Sequence, residues 1–425
     1  MQLSFGIGHA QQTASVPDEN LLGVLSANPV STALQDEDEV LRALRAPIGT
    51  PRLRDMLRPG ETVAVVTSDI TRPMPTWRVM PALMEEILAA GIRAEDVTLV
   101  FALGSHRRHT PQEQRALAGS CRGVRLADSD PDDCVRLGYT SAGTPVDVTR
   151  SVAEADRRIC IGNIEFHYFA GYSGGAKAIM PGVSSREAIQ ANHSMMVREE
   201  ACAGRLEGNP LREDIEEAGA ICGIDFILNV VLDEHKHIVR AVAGHPVLAH
   251  RAGCAFLDGM YKITVAQSAD IVLVSQGGAP KDLNLYQTQK ALDNARHAVR
   301  PGGIIILIGS CREGLGEAVF ERWMTTSPSP QAMIDRIREK FELGGHKAAA
   351  IAMTLQKADI FLVSDLPDDF VRSVFLTPMP SVQAALNSAF ARLGPHASVL
   401  AMPYGGSTLP CLSADAGVSA ARPNP

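Results

Sequence analysis

The chain has 425 residues, 45% of them apolar and 21% charged, which describes a globular protein long enough for two domains and excludes a disordered or fibrous one. A formal net charge of −8 gives no basic field for nucleic acid or anionic lipid, so an anionic substrate would have to meet locally placed Arg and Lys side chains. The first thirty residues lack the basic start and apolar run of a signal peptide, and no segment approaches the roughly eighteen apolar residues of a membrane span. The eight cysteines are scattered without a C-x-x-C pair and read as reduced thiols, so the expected address is the cytoplasm.

In chain order, the first strong element is the apolar run 62–69 (TVAVVTSD), read as a strand. The stretch 75–92 follows, with Met80, Leu83, Met84 and Ile87 at helical spacing, and then a strand-like run at 97–104. That is a βαβ unit, which builds parallel sheets. A third strand is expected at 157–165. The second half alternates in the same way. Strands at 269–278 and 302–310 flank a helix over 285–299, and a helix near 331–343, a strand at 358–366, a helix near 381–393 and a strand at 397–406 continue it. The fold class predicted is α/β, with two domains, parallel-rich sheets and an interdomain active-site cleft. The boundary is expected around 255–268. Residues 1–262 form the cofactor-binding domain and 263–395 the second, with 396–425 returning to the first.

Four segments sit where ligands bind in such sheets, just past the carboxyl ends of strands. The turn TSDITRPMP (67–75) offers Asp69, able to accept from ribose hydroxyls, and Arg72, able to fork onto a carboxylate; a capped turn with a surface arginine is the plainer reading. The loop LGSHRRHT (103–110) places His106 as an acid or base, with His109 close enough to be confused with it. The segment 162–193 holds Gly171, Gly174, Gly175 and Gly182 with His167, Lys177 and His193. Its glycines could bring backbone amides to a phosphate or simply make turns, and Lys177, between small and apolar neighbours, could be a covalent anchor or a surface lysine. It is not a Walker A loop, because Ala176 precedes the lysine. In 276–292, Tyr286, Gln287 and Lys290 near a helix start could reach one small anion or form an ordinary amphipathic N-terminus.

Taken in this order, the segments resemble the nickel-dependent lactate racemase family. The marks are Asp69-Ile70-Thr71-Arg72-Pro73, Gly104-Ser105-His106-Arg107, the His167/Lys177/His193 spacing, and Tyr286-Gln287-Thr288-Gln289-Lys290. The resemblance runs from residue 16 through the stretch 344–348. It implies an isomerase that racemises or epimerises 2-hydroxy acids through a 2-keto acid, by reversible hydride transfer to a nickel-pincer nucleotide. That cofactor, pyridinium-3,5-bisthiocarboxylic acid mononucleotide nickel, would be joined to Lys177 by a thioamide, with His193 completing the metal's ligands. His106 and His167 match the acid/base pair, Arg72, Tyr286, Gln287 and Lys290 the substrate group, Asp69 a residue that fixes the nucleotide, and Gly174, Gly175 and Gly182 its phosphate loop. The partners implied are a small 2-hydroxy acid and the enzymes that build the cofactor, with no nucleic acid and no membrane.

One departure bears on the substrate. The family's lactate enzymes carry a tryptophan near the substrate in the second domain, whereas this chain has only Trp77 and Trp323, and offers His346 and Lys347 in 344–348. That leaves room for an acid larger than lactate. The competing readings are a metal-free Schiff-base lyase or aldolase using Lys177, and a non-catalytic homologue that binds nickel or nucleotide.

Overall fold

A computed structural model describes residues 1–30, 32–104 and 106–413. Two compact units divide the chain, one of residues 30–259 and one that joins residues 1–29 to the chain from 260 onward. Each is built on its own six-stranded sheet.

The sheet of unit 30–259 runs Ile238–Gly244, Phe226–Leu232, Arg157–Asn163, Val63–Ser68, Val97–Ala102, Arg125–Asp128. All neighbours are parallel except the edge strand Ile238–Gly244. Central strands buried on both faces must be apolar at every position, and Val63, Ala64, Val65 and Val66 are each at most 1% exposed. Val63, Val65, Leu99 and Ile161 share one face, packed against Val40 and Leu44 of the helix Asp36–Arg45 and Leu83 and Ile87 of the helix Thr76–Ala89. Strand order reverses between Val63–Ser68 and Arg157–Asn163: the chain moves outward from the first through Val97–Ala102 and Arg125–Asp128, then returns to lay down the second on the other side. The crevice at such a switch point is open at the strands' carboxyl ends. Asp69 and Arg72 follow one of these two strands, and His167 and Lys177 the other.

The other unit carries Thr377–Met379, Ala358–Val363, Val299–Ile308, Ala269–Ser275, Val399–Met402 and Leu21–Val24, all parallel. Its core includes Ile271, Leu273, Ile304, Ile306 and Phe361 against Leu386 and Ala389 of the helix Val382–Leu393. Its switch point lies between Ala269–Ser275 and Val399–Met402, and Tyr286, Gln287 and Lys290 come after the first of these.

The expected domain limits need two corrections. The C-terminal segment does not return to the first domain: Val399–Met402 pairs with Ala269–Ser275 on one side and Leu21–Val24 on the other, and the last described strand, Leu409–Leu412, pairs with Lys262–Val265. The remainder of the 396–425 segment, 414–425, lies outside the described residues. Residues 1–29 leave the first domain as well: Leu25 N donates to Ala401 O, and the hairpin of Gln2–Ile7 and Ala10–Ser15 packs Leu3 and Phe5 into the core of the second sheet. Among the described residues no helix is long and apolar enough to cross a membrane, and all eight cysteines are free thiols.

Candidate active site

Two Asp–His pairs stand three residues apart and do different work. His109 Nδ1 lies 2.7 Å from Asp128 Oδ1, and its Nε2 accepts from Ile70 N at 3.1 Å. An accepting Nε2 requires the proton on Nδ1, so both nitrogens are engaged within the protein and His109 pins the 69–73 turn. His106 Nδ1 is 2.6 Å from Asp69 Oδ2, while its side chain keeps 34% of its surface. The carboxylate places the proton on Nδ1 and leaves the Nε2 lone pair as the basic nitrogen. Burial raises Asp69, but the hydrogen bond and charge of His106, with Thr71 and Arg72, outweigh it and hold the carboxyl below its ordinary range. Thr71 Oγ1 donates to Asp69 Oδ1 at 2.8 Å, so each carboxyl oxygen has a partner in the protein and Asp69 orients His106. Ser105 of the expected Gly104–Arg107 loop lies outside the described residues. Gly104 N donates to Gly182 O at 2.9 Å, tying the His106 loop to the segment that bears Lys177.

Lys177 sits in the short 3-10 turn Gly175–Ala178. It is half-buried by surface yet closely surrounded, and its amine is pushed down to about 7, first by burial and then by the charges of Arg72 and Arg212, with Glu165 acting the other way. Arg212 is 1% exposed, donating from Nε to Glu216 at 2.7 Å, from Nη1 to Tyr172 O at 3.2 Å and from Nη2 to His250 Nδ1 at 3.0 Å. His250 Nε2 donates in turn to Ser173 O at 2.8 Å, and burial together with Arg212 keeps this ring neutral. This Arg212–His250 pair behind the turn that bears Lys177 was not read from the sequence, because the two residues belong to no motif and meet only in the fold.

Two glycines of the expected phosphate loop spend their amides within the protein. Gly175 N donates to Asn229 Oδ1 at 2.7 Å and Gly182 N to Lys177 O at 3.3 Å, so those amides are already bonded. Gly174 and Gly175 have φ of +76° and +59°, and a Cβ on Gly174 would lie 2.8 Å from Asn229 Oδ1. Gly182 would meet Ala178 O at 2.2 Å. All three serve a tight turn against its neighbours.

His167 closes the short pairing of Phe166–His167 with Gly171–Tyr172, and its Nδ1 accepts from Ala170 N at 3.3 Å. In the neutral ring this places the proton on Nε2, the reverse of His106. Phe169 packs edge-on against His167 at 4.5 Å and His193 at 4.9 Å, bringing the two imidazoles to one aromatic wall. His193 ends the helix Arg186–His193, capped by Ser185, and is 7% exposed, with Nδ1 3.1 Å from Asn192 Oδ1. Asp69, Arg72, His106, His167, Lys177 and His193 therefore all belong to unit 30–259. Arg72 is half-buried, lends its charge to Asp69 and Lys177, and forms no salt bridge among the described residues.

Tyr286, Gln287 and Lys290 belong to the other unit, on the helix Leu285–Ala295, where Asn284 caps Gln287 N at 3.0 Å. Gln287 and Lys290 are exposed and Tyr286 is half-buried. Behind them Lys347 is 6% exposed, its Nζ donating to Tyr286 O at 2.6 Å and lying 3.9 Å from the tyrosine ring centre. His346, also 6% exposed, accepts at Nδ1 from Gly344 N at 3.0 Å. Both are buried supports of this helix start. Trp323 is fully buried with Nε1 donating to Glu342 at 2.7 Å, whereas Trp77 is 48% exposed on the outside of its helix.

The profile of the lactate racemase N-terminal domain matches residues 7–204, and that of the lactate racemase C-terminal domain residues 264–409. A lactate racemase of Thermoanaerobacterium thermosaccharolyticum is 33% identical over 416 residues, 95% of this chain and 97% of the relative. One of Lactiplantibacillus plantarum is 30% identical over 407 residues, 92% of this chain and 96% of the relative. The structure of the lactate racemase apoprotein from T. thermosaccharolyticum superposes with a TM-score of 0.89 at 32% identity, covering 97% of this chain and 100% of that one. A Thermotoga maritima protein shares the fold at a TM-score of 0.64 and 19% identity, over 89% of this chain and 98% of that one. The chain belongs to the lactate racemase family of isomerases.

Proposed function

We propose that the chain racemises or epimerises a 2-hydroxy acid through a 2-keto acid, with a nickel-pincer nucleotide joined to Lys177 and His193 as a metal ligand. The observation that carries the reading is the Lys177 amine, pushed down to about 7 amid Arg72 and Arg212. Such an amine is largely neutral and nucleophilic at working pH, as a residue that must form a thioamide requires. The His193 ring suits the ligand role, since an Nδ1 proton directed at Asn192 puts the ring's lone pair on Nε2, the nitrogen a metal would take. When bound, the group supplies a hydride acceptor.

The chain's own residues do the rest. His106 Nε2, made basic by Asp69 on the far nitrogen, takes the hydroxyl proton of one enantiomer; His167 is assigned to the other, which requires its Nε2 to be free of the proton that the Ala170 N contact leaves there. Arg72 holds the substrate carboxylate, and the family resemblance assigns Gln287 and Lys290 to the substrate as well. No indole is offered to a substrate by the buried Trp323, which supports an acid larger than lactate. The relatives are named for lactate, and the test must include it. Maturation requires the enzymes that build the cofactor, and the eight free thiols support work in the cytoplasm.

The deciding experiment screens 2-hydroxy acids with protein from a cofactor-competent host. Inversion with the C2 hydrogen retained rather than exchanged with solvent is the expected result; solvent exchange at C2 in every converted acid rejects hydride transfer. The same lowered amine would suit a Schiff base, which makes a second reading specific. Borohydride trapping of a keto acid on Lys177 would favour it.

A further inference from the structure

We infer that Asn192 is a positioning residue that fixes the His193 ring with its proton on Nδ1 and its lone pair on Nε2, an assignment whose metal consequence rests on the function proposed above. The relay of donors and acceptors starts two groups away. Thr140 Oγ1 accepts from Thr144 N at 3.1 Å, so its own proton is available to Asp214 Oδ1, its hydrogen-bond partner. The other oxygen, Asp214 Oδ2, is 2.7 Å from the Asn192 side chain, which also lies 3.2 Å from the backbone carbonyl of Leu211. Both of these neighbours accept, so only the NH₂ end of the Asn192 amide can face them. Flipping the amide would set its oxygen against a carbonyl and a carboxyl oxygen. The remaining atom, Asn192 Oδ1, therefore faces His193 Nδ1 at 3.1 Å and can only accept from it.

The order is fixed from one end to the other: Thr140 sets Asp214, Asp214 and Leu211 set the amide, and the amide sets the ring. Asn192 is fully buried, Asp214 is 2% exposed and Thr140 5%. Losing a link there leaves unpaired polar groups without water to replace it, which makes the orientation costly to reverse. Outer partners of this kind orient metal-bound imidazoles and raise their basicity. They sit on different elements: Asp214 comes from the helix Pro210–Cys222, Asn192 and His193 from the helix Arg186–His193, and Thr140 from the turn between the antiparallel strands Cys134–Tyr139 and Pro145–Thr149.

The test begins with full-length apoprotein labelled with ¹⁵N in its histidines, His193 being assigned by comparison with His193→Gln. The ring is expected to carry its proton on Nδ1, and Asn192→Leu, close in size but without an acceptor, is expected to shift population to the Nε2–H form. A parent ring protonated on Nε2 overturns the inference, as does a folded Asn192→Leu protein whose ring is unchanged. Were Asn192 only a packing residue, the variant would melt lower without moving the ring proton. Should the variant fail to fold, the parent spectrum still decides. In matured protein, nickel should pass from Asn192→Leu to a chelator about 10- to 100-fold more readily, with the Lys177 adduct intact by mass. Equal retention in the folded variant contradicts the inference. A parent without a nickel adduct rejects the proposed function, while the apoprotein spectrum continues to test the ring assignment on its own.

Discussion

Two lysines with buried surroundings, one in each unit, differ in what surrounds them. Lys177 has Arg72 and Arg212 for neighbours, and its amine is pushed down to about 7. Lys347 instead donates to the Tyr286 carbonyl and lies over the tyrosine ring face, with Asp293 close enough to feel its charge. Desolvation weakens the charged form of any buried amine, and the neighbours decide whether that cost is compensated. At Lys347 a carbonyl accepts from the amine and a π face lies beneath it, so the lysine is tied to the helix start. At Lys177 two guanidiniums add to it, which favours the neutral amine.

The matched substitution to methionine removes both amines while keeping their stems, and it has the largest expected contrast. Lys177→Met should abolish turnover, whereas Lys347→Met should raise KM about tenfold, roughly 1.4 kcal/mol, with kcat nearly kept, as the Tyr286–Lys290 helix start loosens. Steady-state kinetics on both variants measures this, and equal losses would erase the distinction. Next in size, Asp69→Asn should lower kcat by about 10²- to 10⁴-fold, because the amide no longer holds the proton on His106 Nδ1. Cofactor loading measured by mass should stay normal; loss of loading would instead give Asp69 back to the nucleotide.

The smallest effect concerns titration of the apoprotein. Because the Lys177 pKa is lowered, its neutral form dominates above about 7, while exposed lysines remain protonated up to about 10.4. An amine-directed reagent should therefore label Lys177 with a midpoint near 7, read by peptide mass spectrometry. Arg72→Gln should move that midpoint upward, but by less than burial moves it down, since burial is the first cause. A midpoint with the exposed lysines would remove the physical basis of the comparison.

Much of this was legible in the sequence, and what was not has particular causes. Val63–Ser68 and Val97–Ala102 announce themselves because strands covered on both faces must be apolar throughout. The site motifs could be placed because each follows such a strand. Leu21–Val24 gives no such signal: it is a four-residue edge strand with alternate residues exposed, so the crossing of the first 29 residues to the second unit was invisible. The Arg212–His250 contact joins residues on separate helices, and no local spacing encodes it. The glycines of 171–182 raise a further point, since sequence shows that a residue lacks a Cβ but not whether its amide is already bonded, as those of Gly175 and Gly182 are. His106 and His109 were likewise indistinguishable until Ile70 and Asp128 were seen to occupy both nitrogens of the second.

The proposed chemistry depends most on Lys177, and intact-mass and peptide mass spectrometry of active protein from a cofactor-competent host tests it directly. The expected result is one nickel-containing nucleotide adduct per chain, mapped to that lysine, with racemisation in proportion to its occupancy. Full activity in protein whose Lys177 amine is unmodified would contradict it.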